Sequence, residues 1–72
     1  MTLVRSRMTG VLFESEHRWR SPTQSLHAWL ESDCITRDPD AFKACSPARE
    51  RQLTERFGDM VPKTPGENSW VE

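Results

Sequence analysis

No apolar run in the sequence approaches the roughly 20 residues that a membrane-spanning helix requires. The arginines near the N-terminus have no continuous apolar segment behind them, so no secretory signal is read and a cytosolic protein is expected. An excess of either charge is missing as well: ten Lys and Arg stand against eleven Asp and Glu, a net charge of −1. A partner held by phosphate charge alone is therefore disfavoured. Cysteine is scarce. Cys34 and Cys45 could close one disulfide, but without a secretory signal a reduced pair is the expectation. With His17 and His27 they complete a Cys2His2 inventory, yet no two of the four stand at the C-x2-C or H-x3-H spacing that seats two zinc ligands together. Neither a metal nor another cofactor is expected.

Signs of catalysis are equally thin. A chain of 72 residues allows one domain, and a domain of this size buries only about 60% of the surface its unfolded chain exposes. That leaves little room for a deep active site. Glu14 and Glu16 share one strand face, but acid–base work needs their pKa values driven apart by burial, and this face reads as solvated and studded with arginine. Cys34 or Cys45 with His27 fits no nucleophile signature. No enzyme is expected.

What the chain does contain is punctuation. Met1 to Arg20 reads as a β-hairpin with Thr9-Gly10 as its two-residue loop, Gly supplying the positive φ that tight hairpin turns demand. In that register Arg5 stands opposite Glu14 and Val4 opposite Ser15. One face then carries Val4, Ser6, Met8, Val11, Phe13 and Ser15, and the other carries the charges, with a cross-strand Arg5–Glu14 pair worth about 0.2–1 kcal/mol. Ser21-Pro22-Thr23-Gln24 is a capped helix start, followed by Leu26, Trp29, Leu30 and Cys34 as one stripe of a helix to about Asp33. Asp38-Pro39 repeats the device before Ala41, Phe42 and Cys45. Ser46-Pro47 repeats it again and opens a helix to Phe57, stopped by Gly58. Beyond Pro62 the composition is Pro, Gly, Ser, Asn and charge, which reads as a disordered tail carrying Trp70. The expected architecture is α+β: an N-terminal two-stranded β-hairpin followed by three short α-helices over residues 1–61, then a disordered C-terminal tail over 62–72.

Two functional classes remain. The segment 39–45, a Ser-Pro break and the helix bearing Arg49, Arg51 and Arg56 superficially resemble a helix-turn-helix DNA reader, although Glu50 and Glu55 interleave with those arginines. The other class is a protein-binding module. Three Trp, eight Arg and two Lys supply residue types that interfaces use as anchors, and a two-stranded hairpin has free edges for strand addition. The expected surface is Leu3, Val4, Arg5, Met8, Val11 and Phe13 of the hairpin, with Arg18, Trp19 and Arg20 beside it. A zinc-stapled adaptor stands third.

Taken together, the hairpin "LVRSRMTGVLFESE", the capped segment "SPTQSLHAWLES" and "DPDAFKACSPARERQLTERFG" resemble the small RNA-polymerase-binding transcription regulators of Xanthomonas phages. The resemblance lies in length and general character along the whole chain. It implies a host-cytoplasm protein that binds bacterial RNA polymerase through its β and β′ subunits, inhibits initiation by displacing the σ factor and acts as an antiterminator. Such a protein would have no catalytic site, would meet nucleic acid only indirectly and is expected to be a monomer.

Overall fold

The computed structural model describes residues 1–16, 28–29, 35 and 38–71, and among them the backbone builds one antiparallel sheet of five strands. The strands are β1 (Thr2–Arg5), β2 (Leu12–Ser15), β3 (Ala28–Trp29), β4 (Lys43–Ala44) and β5 (Glu67–Trp70), in the spatial order β3-β5-β1-β2-β4. Helix α1 (Pro47–Phe57) packs on one face. Strand β1 is central, so Thr2, Leu3 and Val4 are all buried instead of alternating.

The two sides of β1 hold two apolar clusters. On the α1 side Leu3 and Leu12 meet Leu53, Val61 and Val71, with Cys45 and Phe57 at the margin. On the other side Val4 meets Phe42, flanked by Phe13, Ile35 and Ala41. Full burial of a Leu of this kind contributes about 1.5–3 kcal/mol, against a total stability of about 4–11 kcal/mol for a chain this long. A few side chains therefore decide whether the domain folds.

Helix α1 begins and ends where its sequence signals lie. The Ser46 side chain accepts a hydrogen bond from the Arg49 N–H, Pro47 takes the first helical position, and Gly58 closes the helix at a φ of 57°. The rest of the expected architecture is corrected. Ala28 and Trp29, placed mid-helix by their spacing, form β3 and pair with Asn68 and Glu67 of β5. The remainder of that expected helix lies outside the described residues. Asp38-Pro39 opens only a 3-10 turn, Pro39–Ala41, after which Lys43–Ala44 joins the sheet. The helix-turn-helix-like pair is therefore absent from residues 39–57: a strand precedes α1.

The expected disordered tail is a strand between β1 and β3. Its entry is a β-turn, Thr64-Pro65-Gly66-Glu67, in which the Glu67 N–H donates to the Thr64 carbonyl and Gly66 adopts a φ of 87°. Pro and Gly here do the work of a type II turn, in which the third residue needs positive φ. From the turn, β5 pairs Asn68, Ser69 and Trp70 with Val4, Leu3 and Thr2. The chain ends are tied, since the Val71 N–H donates to the Met1 carbonyl and the Met1 ammonium to the Val71 carbonyl.

The hairpin itself is present in a different register. Thr2 pairs with Ser15, Leu3 with Glu14, Val4 with Phe13 and Arg5 with Leu12. The loop is Arg7-Met8-Thr9-Gly10, closed by the Ser6 N–H on the Val11 carbonyl and the Gly10 N–H on the Ser6 carbonyl. Thr-Gly lacks the Asn or Asp that a two-residue loop prefers, and the four-residue loop uses Gly10 at its left-handed position, φ 75°. The pairing moves by two places, so no side chain changes face. Arg5 and Glu14 nevertheless stop being opposite partners. Their face, expected to be solvated, is the face that α1 covers.

Candidate functional site

Two features stand out on the α1 side of the sheet: a pair of crossed ion pairs under the helix, and a cleft where the helix start meets the hairpin loop. The ion pairs join adjacent helix residues to opposite charges on the sheet. Arg5 of β1 forks onto Glu50, with Nη1 to Oε1 at 3.1 Å and Nη2 to Oε2 at 3.2 Å. Glu14 of β2 accepts from Arg49, Nε at 2.8 Å and Nη2 at 2.9 Å. Sheet and helix thus exchange charge signs. Reversing the helix, or sliding it one position, would set like charges against each other, so the two pairs specify how α1 lies.

Arg5 does more than pair. Its Nε and Nη2 donate to the Pro62 carbonyl at 3.1 and 2.9 Å, and its Nη1 donates to the Gly10 carbonyl at 3.0 Å. One guanidinium therefore ties the hairpin loop, the helix and the segment leading to β5. Only 12% of the Arg5 side chain is exposed, against 38% for Glu50. The Cys45 thiol donates to Glu14 Oε2 at 3.3 Å. Arg49, as the hydrogen-bond partner, holds the Glu14 carboxyl below its ordinary value, with the thiol reinforcing it against the opposing effect of burial. Burial, then the bond to Glu14, pushes the Cys45 thiol up to about 12, so it stays protonated at neutral pH. A thiol in that state is a poor nucleophile. The group of Glu14, Arg49 and Cys45 is a fastening between β2 and α1.

The cleft has a volume of about 540 Å³ and is lined by Thr9, Gly10 and Val11 of the loop and by Cys45, Pro47, Glu50, Arg51 and Thr54 around the helix start. The loop forming its wall is ordered by its own chemistry. Ser6 Oγ accepts from the N–H groups of Met8 and Thr9, both at 3.2 Å, and Thr9 Oγ1 accepts from the Val11 N–H at 3.3 Å. Ser side chains in this position stabilise turns by copying a backbone hydrogen bond. Met8 rides on this framework with 91% of its surface exposed.

The residues expected to form the binding surface are distributed as follows. Leu3 and Val4 are fully buried, on opposite faces of β1. Phe13 is half-buried in the second cluster, and Arg5 is engaged as described. Met8 and Val11 remain at the surface, Val11 at 36% exposure. Arg18, Trp19 and Arg20 lie outside the described residues. The hairpin edge expected to accept a strand is occupied: β1 pairs with β5, and β2 pairs with β4 through Phe13 and Glu14. On the other hairpin face, Val4 and Phe13 are packed against Phe42, Ile35 and Ala41. Cys45, Pro47, Arg51 and Thr54 were not foreseen as site residues, because only the tertiary approach of α1 to the loop brings them beside Val11. The Arg49-Glu50 dipeptide opposite Arg5 and Glu14 was the signal that could have placed them.

A second, more polar recess between Glu14, Glu16, Asp40 and Lys43 lies toward β4. Among the described residues no group of three or more His, Cys, Asp or Glu is arranged to hold a metal ion, and no helix is long and apolar enough to cross a membrane. No family model, curated protein or solved structure matches the chain.

Proposed function

We propose that the chain is a transcription regulator that binds bacterial RNA polymerase through its β and β′ subunits, inhibits initiation by displacing the σ factor and acts as an antiterminator. The partner's identity rests on the sequence resemblance. The physical observation that supports a binding role is the hairpin loop: Met8, 91% exposed, sits on a turn fixed by Ser6 and beside an open cleft. Methionine adapts its shape to irregular apolar surfaces, and a loop ordered before contact loses little entropy on docking. The protonated thiol and the mutually neutralised ion pairs leave this region with contacts to offer and no activated group. In this reading the protein works as a monomer in the host cytoplasm, and DNA is met only through the polymerase.

The test is retention of purified bacterial core polymerase on the immobilised protein, paired with promoter-dependent run-off transcription. Core enzyme should be retained, and adding the protein before σ should suppress initiation more than adding it afterwards. Absence of retention at micromolar concentration would overturn the proposal. Tight binding to random duplex DNA that falls steeply with salt would replace it with a repressor.

A further inference from the structure

Several features of the molecule are internally satisfied. The Glu14–Arg49–Cys45 fastening is closed on itself, and the recess near Asp40 and Lys43 is polar, with no group of three His, Cys, Asp or Glu among the described residues arranged to hold a metal ion. The cleft between the loop and α1 differs in two respects. Its walls are mainly uncharged, formed by Val11, Pro47, Cys45 and the threonines Thr9 and Thr54. Its charges are also unbalanced: Glu50 is neutralised by the forked Arg5 contact, while Arg51 is exposed and has no ion pair or hydrogen bond among the described residues.

We infer that this cleft seats a short acidic-apolar segment of a partner protein, with an apolar side chain between Val11 and Pro47 and a carboxylate on Arg51. The inference rests on the protein-binding reading above and specifies the chemistry of what is bound. The volume falls within the range that holds a few side chains, about 300–1,000 Å³. The walls favour an apolar group because Val11 and Pro47 are partly exposed there. The rim favours an anion because Arg51 is its uncompensated charge, and a guanidinium can take a carboxylate through two parallel hydrogen bonds. A basic segment would meet Arg51 directly and be repelled. The cleft also keeps its shape without a ligand, since Ser6 and Arg5 hold the loop from beneath.

The test uses blocked peptides on the full-length ¹⁵N-labelled protein: GDLLDG, with GNLLNG and GKLLKG as counterparts. GDLLDG should shift the amides of Gly10, Val11, Arg51 and Thr54. GNLLNG should bind about fivefold more weakly, the effect of one exposed charge pair. Arg51→Glu, a surface change on the helix, should reverse the preference toward GKLLKG, and Thr54→Trp should fill the cleft and abolish the shifts. Shifts centred elsewhere, or a charge preference unaltered by Arg51→Glu, would overturn the inference. So would concentration-dependent broadening of the same amides without peptide, which would make a second copy the occupant. The polymerase assay separates the two proposals. Peptide contacts at the cleft with no polymerase retained would support the cleft and remove the polymerase. Polymerase retained equally by the parent, Arg51→Glu and Thr54→Trp would remove the cleft and leave the polymerase.

Discussion

Replacing Arg5 with Met keeps most of the stem's packing and deletes every hydrogen bond of the guanidinium. The losses are unequal. Glu50 is 38% exposed and can turn to water, so its part resembles a surface ion pair worth about 0–1 kcal/mol. The Pro62 carbonyl accepts two bonds from Arg5 and belongs to a buried residue, and leaving such an acceptor unsatisfied costs about 1–3 kcal/mol. The Gly10 carbonyl loses a bond to a charged donor as well. Arg5→Met should therefore destabilise by about 2–4 kcal/mol, whereas Glu50→Gln should cost less than about 1 kcal/mol. Urea unfolding of both single variants and of the double variant measures each value and the coupling between them. The slope of free energy against urea should stay constant. With each kcal/mol worth about 4–8 °C in a domain of this size, Arg5→Met should also lower the melting temperature visibly. Equal losses for Arg5→Met and Glu50→Gln would refute the reasoning, because the ion pair and not the backbone carbonyls would then hold the joint.

Three further outcomes follow from the same contacts. Truncation after Gly66 should abolish cooperative unfolding by circular dichroism, because it removes the strand pairing Thr2, Leu3 and Val4; an unchanged melting curve would contradict the assignment of β5. Glu14 has a folded pKa below its unfolded value of about 4.3, so its stabilising contribution is present above that value and is lost as pH falls through the depressed folded pKa. Acid titration of stability should show that loss in the parent and not in Glu14→Gln. In a Cys34→Ser background, Cys45 should react slowly with a neutral-pH thiol reagent, and faster in Glu14→Gln, where the bond that helps raise its pKa to about 12 is weakened.

Local signals in the sequence were read correctly where the neighbouring residues alone determined the outcome. Ser46, Pro47 and Gly58 delimit α1 because capping is a matter of three or four adjacent residues. The hairpin was legible for the same reason, but its register was not: Gly10 marks the left-handed position without stating how many residues precede it. Long-range pairing was hidden. Pro65-Gly66 was read as composition when its physical content is a turn, and the turn feeds a strand whose partner lies more than sixty residues earlier. Trp29 sits on an apolar stripe of helical spacing and Ala28 beside it, yet pairing with β5 sets the backbone of both. The candidate site suffered most from this. Once α1 folds onto the face of Arg5 and Glu14, those charges become fastenings and Leu3 becomes core, while Val4 is buried on the opposite face against Phe42; the surface left beside the loop is one that no local pattern describes.

The most direct test of the binding account is a photocrosslink from the loop. With p-benzoylphenylalanine in place of Met8, irradiation in the presence of core RNA polymerase should give a covalent product with the β or β′ subunit, suppressed by excess unlabelled protein. The same group in place of Arg56, on the last turn of α1, should give little. No product from position 8 together with efficient crosslinking from position 56 would contradict the account, because the polymerase would then be meeting the helix end and not the hairpin loop.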